Sequence, residues 1–335
     1  MKALKVKKIF AEKTKKKLIN VSNYKIKNEG NYVYFPINEN IDMGHGEIIE
    51  VDEGFFEKRK KPPNLKGYLK ENGIELEFSA FEIIGDIAIV EIPEEFKKHE
   101  KTIADGIVRV HPQVKTVLKK QGGMEGVLRI RKMKHVLGEE KTETIYKENG
   151  CGFKVDVSKM FYSSKLSNER LRIAGTIRNG ENILVPFAGY GPFAILFAKM
   201  FPKSKVVGIE LNKNAVKYFE ENIKLNKLKN IEILQGDARE KIEHFENWAD
   251  RIVMPLPKDA VEYVGPMLRA LKNKGVIHLY AFTQKEEPYK KVENQIKLIA
   301  KNHGYKVKFI FKRVVRAYSP TIVEVVLDVQ CEAIK

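Results

Sequence analysis

Residues 183–193 read Ile-Leu-Val-Pro-Phe-Ala-Gly-Tyr-Gly-Pro-Phe. An apolar run enters a glycine pair, and a second apolar run, Ala194 to Phe201, follows at once. That order predicts a buried strand, a tight loop and a helix. Glycine has no Cβ, so such a loop lets a ligand approach bare backbone. The next strand is expected at Val206-Val207-Gly208-Ile209 and ends in Glu210, 21 residues beyond Gly189. Gly189-Tyr190-Gly191-Pro192-Phe193-Ala194 fits G-x-G-x-x-G/A, and the acid lies where a ribose would. Two cofactors satisfy this unit equally well. One is a nicotinamide dinucleotide; the other is S-adenosylmethionine (SAM), whose ribose hydroxyls need the same acceptor.

The pattern continues outward from this unit. A helix is expected from Lys213 to Leu225, with Ala215, Phe219 and Ile223 at i, i+4 and i+8 on one buried face. Strand Ile231–Leu234 leads to Gln235-Gly236-Asp237-Ala238, and strand Arg251–Met254 leads to Pro255-Leu256-Pro257. A helix with Val261, Val264, Leu268 and Leu271 inward precedes strand Gly275–Phe282 and a helix to about Asn302. Two β-rich stretches, Val307–Tyr318 and Ile322–Val329, close the chain around Ser319-Pro320. Alternating strands and helices finished by a hairpin predict an α/β, doubly wound sheet with one reversed strand. In such sheets ligands sit beyond the carboxyl ends of the strands. There Glu210 can accept from two vicinal hydroxyls. Asp237 can accept from an adenine amine while the Ala238 N–H donates to a ring nitrogen. Asp237 suits a helix N-cap equally well.

Two smaller modules precede this body. Residues 1–65 read as a small basic α/β module, with a helix at Phe10–Leu18, a strand at Tyr32–Pro36 and a charged linker, Lys58-Arg59-Lys60-Lys61-Pro62-Pro63-Asn64. Residues 75–150 read as a second α+β unit. Phe81–Ile92 folds as two strands around Gly85-Asp86, and a basic helix covers Ile103 to Leu118. Val127-Leu128-Arg129-Ile130-Arg131 alternates apolar and basic residues, which sets Arg129 and Arg131 on one face of a strand. Residues 151–335 are expected to form the catalytic domain.

The chain carries 61 Lys and Arg against 44 Asp and Glu, a net charge of +17. Lys and Glu are not enriched in balance, so the excess points to a polyanion, most economically a nucleic acid. Lys301 to Arg316 adds six basic residues and no acid to that face. The two cysteines, Cys151 and Cys331, lack metal-ligand spacing, so no metal is expected. The longest apolar run is broken by Gly-Tyr-Gly-Pro and is too short to span a bilayer. The Lys-rich N-terminus does not read as a secretory signal. A cytoplasmic monomer without membrane contact is expected.

Taken together, several segments resemble one family. They are Phe187-Ala188-Gly189-Tyr190-Gly191-Pro192-Phe193, Tyr146-Lys147-Glu148-Asn149-Gly150, Phe161-Tyr162-Ser163-Ser164-Lys165-Leu166-Ser167-Asn168-Glu169-Arg170, and Leu256-Pro257. They look like archaeal tRNA methyltransferases acting at purine 37: the guanine-37 N1-methyltransferases and their wyosine-pathway relatives. The resemblance covers essentially the whole chain. It implies a class I SAM-methyltransferase sheet with a C-terminal antiparallel hairpin, SAM as cofactor, and tRNA as partner, gripped at the anticodon loop and elbow. It places the cofactor among Phe161, Phe187, Ala188, Gly189, Gly191, Glu210, Leu211, Asp237, Ala238 and Pro255. It makes Glu169 the general base and adds Lys165, Arg170 and Arg316 to Arg129 and Arg131 as RNA contacts. An aromatic pocket from Phe161, Tyr162 and Tyr190 would stack on the base.

Three positions depart from the family. Lys141 stands where an Arg usually holds the base carbonyl, Pro255 where an Asn precedes Leu-Pro, and Val185 where an Asp is frequent. Lysine is no bidentate fork, and proline lacks an amide. These departures turn the expected reaction from guanine N1 toward C7 methylation of the tricyclic wyosine precursor 4-demethylwyosine (imG2) on tRNA(Phe), with guanine-37 N1 methylation as the alternative. A third relative transfers the aminocarboxypropyl group of SAM instead. A non-catalytic RNA-binding protein on a decayed SAM fold is the rival from another class.

Overall fold

The computed structural model describes residues 1–12, 14, 24–37, 44–57, 64–75, 81–126 and 130–334. The chain divides into two units, Met1–Gly67 and Tyr68–Lys335. In the first, strands β1 (Lys2–Lys7), β2 (Lys27–Glu29), β3 (Tyr32–Ile37) and β4 (Gly46–Glu50) form one sheet in the order β2-β3-β1-β4. Leu4 and Val6 pair with Phe35 and Val33, and these side chains with Ile37 make its small core. Most of the expected Phe10–Leu18 helix and the Lys58–Pro63 linker lie outside the described residues.

The second unit opens with a four-stranded sheet in the order β5-β6-β7-β8: Phe81–Ile84, Ile87–Val90, Thr116–Glu125 and Ile130–Gly138. β6 and β7 are parallel, which requires a crossover, and helix Glu100–Val110 supplies it. The expected helix at Ile103–Leu118 is therefore cut short. Pro112 disfavours helix at His111 and cannot continue the hydrogen-bond ladder. Thr116, Val117 and Leu118 instead pair with Ile87, Ala88 and Ile89.

Strands β9 (Glu143–Glu148) and β10 (Cys151–Asp156) form a hairpin. Asn149 and Gly150 both take positive φ, 49° and 78°, as a two-residue turn of the primed type demands. The expected boundary between residues 150 and 151 falls inside this turn. The hairpin docks on helix Lys213–Leu225 and its cap: the Asn222 and Asn226 side chains accept from the Lys154 and Gly152 N–H groups at 2.6 and 3.0 Å.

The main sheet has seven strands in the order β13-β12-β11-β14-β15-β17-β16. They are β11 (Asn182–Pro186), β12 (Lys205–Glu210), β13 (Ile231–Gln235), β14 (Ala249–Met254), β15 (Leu271–Gln284), β16 (Tyr305–Ala317) and β17 (Ile322–Ala333). All are mutually parallel except β17, which runs antiparallel to both neighbours. This is the expected doubly wound sheet with a terminal hairpin. Successive residues of β11 serve opposite cores. Ile183 and Val185 pack on one face and Leu184 on the other, so the strand reads as a continuous apolar run. Leu271, expected on the preceding helix, begins β15.

One ring locks the glycine loop to this sheet. A Cβ on Gly191 would lie 2.5 Å from the Phe219 ring, and one on Gly208 would lie 2.4 Å from it. Gly191 also has φ +93° and is followed by Pro192, the first residue of helix Pro192–Met200. Phe219 thus fits only because both neighbours lack side chains. Among the described residues no helix is long and apolar enough to cross a membrane.

Candidate active site

β11 lies between β12 and β14, so the chain order reverses there, and the carboxyl ends of β11–β14 open on one cavity. The cavity holds about 150 Å³. Its polar wall is Gly189, Glu210, Asn212, Gly236 and Asp237. Its apolar wall is chiefly Met160, Phe161, Phe187, Leu256 and Tyr263. Glu210 is held by backbone alone. Its Oε2 accepts the Gly189 N–H and its Oε1 accepts the Asn212 N–H, both at 2.8 Å. Burial pushes its carboxyl above the ordinary glutamate value, and the N–H groups of Asn212, Gly189 and Leu211 partly offset this. Each oxygen keeps a lone pair for a further donor.

Asn212 caps helix Lys213–Leu225 through its side chain and ties down Lys159 O at 3.0 Å. Asp237 caps the short helix Ala238–Lys241, with Oδ1 accepting the Arg239 N–H at 2.8 Å. It fills the N-cap role and still faces the cavity. Phe187 sits at φ +60°, a strained conformation for a side chain of its size, with its ring against Tyr263 at 4.7 Å.

A second cavity, of about 230 Å³, shares Met160 and Phe161 with the first. Its other walls come from the four-stranded sheet (Ile89, Lys120, Arg131, Met133), the Tyr162–Lys165 segment, and Arg316 and Tyr318 at the end of β16. Four cations, Lys120, Arg131, Lys165 and Arg316, and one acid, Glu82, line it beside apolar and aromatic side chains. An adenosyl compound fits the first cavity on its donor set: a carboxylate that neutral N–H groups hold, with hydroxyl-accepting capacity left, beside an apolar wall that tolerates a sulfonium. Met160 and Phe161 line both cavities and so stand between such a ligand and the second one.

Family models described as the TRM5/TYW2 methyltransferase domain, the TYW2 N-terminal domain and the tRNA methyltransferase 5 N-terminal domain match residues 144–308, 63–142 and 3–43. The tRNA (guanine(37)-N(1))-methyltransferase Trm5b of Pyrococcus abyssi is 39% identical over 314 residues, covering 92% of this chain and 91% of its own. The chain belongs to this family of SAM-dependent tRNA methyltransferases. The crystal structure of that relative superposes with a TM-score of 0.73 over 99% of each chain. The tRNA 4-demethylwyosine(37)-methyltransferase Taw21 of Saccharolobus solfataricus is 37% identical over 74% of this chain and 92% of its own. A structure of M. jannaschii TYW2 in complex with AdoMet has a TM-score of 0.60 at 30% identity, covering 76% of this chain and all of that one.

The methyltransferase gathers most, not all, of the residues expected at its cofactor site. Phe161, Phe187, Gly189, Glu210, Leu211, Asp237, Ala238 and Pro255 line the first cavity. Ala188 and Gly191 do not: Ala188 is buried and donates its N–H to Ile209 O at 3.0 Å, and Gly191 faces Phe219. Tyr190, expected in the aromatic pocket, is 2% exposed and belongs to the core. Its hydroxyl bonds Tyr146 Oη at 2.9 Å, and burial pushes its pKa up to about 12. Phe161 and Tyr162 do line the second cavity.

Two expected catalytic residues lie elsewhere. Lys141 is paired to Asp86 at 2.8 Å and Glu139 at 2.6 Å on another surface hollow, and these carboxylates raise its pKa. Glu169 is 1% exposed and lines neither cavity. Its oxygens accept from Arg313, from Arg172 at 3.0 Å and from Tyr280 at 3.2 Å. The seam runs on. Arg172 grips Asp328 at 2.6 and 3.1 Å, Asp328 meets His278 Nδ1 at 2.7 Å, and Arg251 bonds His278 at 2.6 Å and Glu181 at 2.7 Å. Burial alone would raise the Asp328 pKa, but His278 and Arg172 outweigh it and hold it low.

Of the expected RNA contacts, Arg131, Lys165 and Arg316 ring the second cavity, Arg316 while paired to Glu324 at 2.5 Å. Arg170 is not at the surface. It is 1% exposed and bidentate to Glu148 at 2.6 and 2.5 Å. Arg129 lies outside the described residues. Sequence reading passed over Met160, Asn212 and Tyr263. Asn212 carries a local signal, an N-cap before an amphipathic helix. Met160 and Tyr263 carry none, because only the tertiary fold brings them to the cavity.

Proposed function

We propose that this methyltransferase methylates N1 of guanine 37 in tRNA. The observation that carries the reading is the N-terminal unit. Residues 3–43 match the N-terminal domain of tRNA methyltransferase 5, and the N1-methylating relative from Pyrococcus is similar over nearly the whole chain. The wyosine-pathway relative covers only 74% of it while using 92% of its own length.

When bound, SAM supplies an electrophilic methyl on a sulfonium centre. The chain's own residues do the rest. Glu210, fixed by the Gly189 and Asn212 N–H groups, accepts from the ribose hydroxyls. The second carboxylate oxygen of Asp237 accepts from the adenine amine. Phe187, Leu256 and Tyr263 exclude water. The base leaves its stack and enters the second cavity, where Phe161 and Tyr162 offer ring faces. Met160 and Phe161 are then the groups that set the in-line approach, about 3–3.5 Å for a near-attack arrangement.

Guanine N1 carries a proton that must leave, and Glu169 is the acceptor the family resemblance assigns. Its oxygens are taken in the free protein, so this role requires the cluster to open. Arg313 is its exposed partner, with a side chain 48% exposed on a basic strand that phosphates can claim. Glu169→Gln keeps the shape and removes the acceptor. It is expected to cut kcat about 100-fold or more with cofactor affinity unchanged; full activity would exclude the role.

A second reading is C7 methylation of 4-demethylwyosine, which Pro255 favours because it offers no amide to grip guanine. Reaction of tRNA(Phe) carrying guanine or imG2 at position 37, side by side, decides between them by mass spectrometry of anticodon-loop digests. Methyl on guanine alone supports the first reading; methyl on imG2 alone replaces it with the second.

A further inference from the structure

The partners of Glu169 are unequal, and the inequality divides its two oxygens. Oε2 accepts from Arg172 Nε at 3.0 Å and from the Tyr280 hydroxyl at 3.2 Å, whereas Oε1 accepts from Arg313. The two donors on Oε2 are built into the fold. Tyr280 is fully buried on β15, between β14 and β17. Arg172 is fixed from behind: both of its terminal nitrogens sit on Asp328, and its guanidinium lies over the Phe311 ring at 4.3 Å. Asp328 is fixed in turn by His278. Arg251 can only donate, so the His278 Nε2 that it meets at 2.6 Å accepts, which leaves the ring proton on Nδ1, 2.7 Å from Asp328. The donor on Oε1 is different. Arg313 is about half exposed, and among the described residues it has no second ion-pair partner. It stands on β16, the edge strand of the sheet, with Lys306, Lys308, Lys312 and Arg316. Glu169 and Arg313 also adjoin the second cavity along the chain. Lys165, four residues before Glu169, and Arg316, three residues after Arg313, both line it.

Resting on the reading of Glu169 as the base, we propose a division of labour around its carboxylate. Glu169 works through Oε1 alone, Arg172 and Tyr280 are positioning residues that hold Oε2, and Arg313 covers Oε1 until an RNA phosphate takes its guanidinium. A guanidinium fork suits phosphate as well as carboxylate, so the exchange trades one charge-assisted pair for another. It turns one exposed side chain and leaves the buried chain of contacts from Tyr280 to Glu181 intact. Releasing Arg172 instead would also unpair Asp328 inside the protein, at far greater cost. After the exchange the carboxylate keeps two of its three donors, and with them its direction. The freed oxygen is the one able to take the proton that N1 loses as it is methylated. A base that is covered in the free protein and uncovered by phosphate ties proton removal to a docked tRNA.

The contest for Arg313 is read in binding, apart from the chemistry. Dissociation constants for an unmodified tRNA(Phe) transcript are measured across a salt series for the wild type, Glu169→Gln, Arg313→Ala and the double variant. Glu169→Gln removes the competing charge and should bind tRNA about fivefold more tightly, the worth of a part-exposed ion pair. Arg313→Ala should bind more weakly and lose about 0.7–0.9 from the log–log salt slope, the share of one phosphate. In the double variant the gain from glutamine should vanish. A purely structural ion pair would move neither the slope nor the cycle. In all three variants the affinity for S-adenosylhomocysteine should stay within about threefold of the wild type, which an unfolded chain would not show. No gain in Glu169→Gln, or the same gain with and without Arg313, would overturn the cover. Tyr280→Phe takes one donor from Oε2 and keeps the ring. Its single-turnover rate at saturating tRNA should fall about tenfold with tRNA affinity unaltered; a full rate would overturn the positioning role. Full turnover by Glu169→Gln would instead sink the reading of Glu169 as base. The binding cycle involves no methyl transfer, so it would still decide whether Arg313 passes from Glu169 to phosphate.

Discussion

Glu210 and Glu169 are both largely withdrawn from water, yet their surroundings could hardly differ more. Glu210 stands at a strand end, and the Gly189 and Asn212 N–H groups that hold it are neutral and leave it room for more. Glu169 stands on a helix against the sheet, enclosed by two guanidinium groups and a tyrosine hydroxyl. The first arrangement is open to a ligand and keeps a raised pKa. The second joins helix Ser167–Ala174 to β15, β16 and β17 through a chain of charges that ends at Glu181. A carboxylate held by backbone amides beside a cavity is equipped to bind; one closed by cations holds elements together until something removes a partner.

The largest test of this contrast is Glu169→Ala. It removes the buried carboxylate and leaves half-buried Arg172 with one partner fewer; breaking a buried ion pair costs about 3–5 kcal/mol. Urea denaturation should report a loss of that size with an unchanged slope; a loss below about 1 kcal/mol would mean the seam does not hold the fold. Glu210→Ala should act on binding instead. Two charge-assisted hydrogen bonds to a ribose disappear, and affinity for S-adenosylhomocysteine should fall about 100-fold by calorimetry. Unchanged affinity would remove Glu210 from the site.

The pH dependence of binding sharpens the comparison. Protonation turns an accepting oxygen of Glu210 into a hydroxyl, and its pKa is raised by burial. Cofactor affinity should therefore decline as pH falls through that raised value, at a higher pH than an ordinary glutamate near 4.3 would require. The decline should be absent in Glu210→Gln. A flat wild-type profile down to the ordinary range would contradict the assignment. Lys141→Ala should have the smallest effect. It removes part-exposed ion pairs to Asp86 and Glu139, worth about 1 kcal/mol or less, and should leave cofactor affinity alone. A large loss of cofactor affinity would put Lys141 back at the active site.

Much of the fold can be read locally. The run Ile183–Pro186 into Gly189 and Gly191 carries both the apolar pattern of a strand buried on two faces and the backbone freedom of a ligand loop. Glu210 is visible because it ends the next strand. The stop at His111-Pro112 is also in the sequence and outranks the apolar pattern beyond it. Other features exist only in three dimensions. Arg170 looks like any surface arginine until Glu148, 22 residues away, is folded beside it. Glu169 reads as a helix-start acid because its partners Tyr280 and Arg313 lie more than a hundred residues downstream. Tyr190 sits in the loop motif, yet its ring turns inward to Tyr146. In each case the charge or ring is plain from the sequence, and its direction is set by tertiary packing.

A crystal structure of the chain with S-adenosylhomocysteine tests the central claim most directly. The account predicts the ribose hydroxyls on Glu210 and the adenine beside Asp237 and Ala238, with the sulfur turned toward the Met160–Phe161 partition. A ligand bound elsewhere, or a ribose that leaves Glu210 untouched, would contradict it.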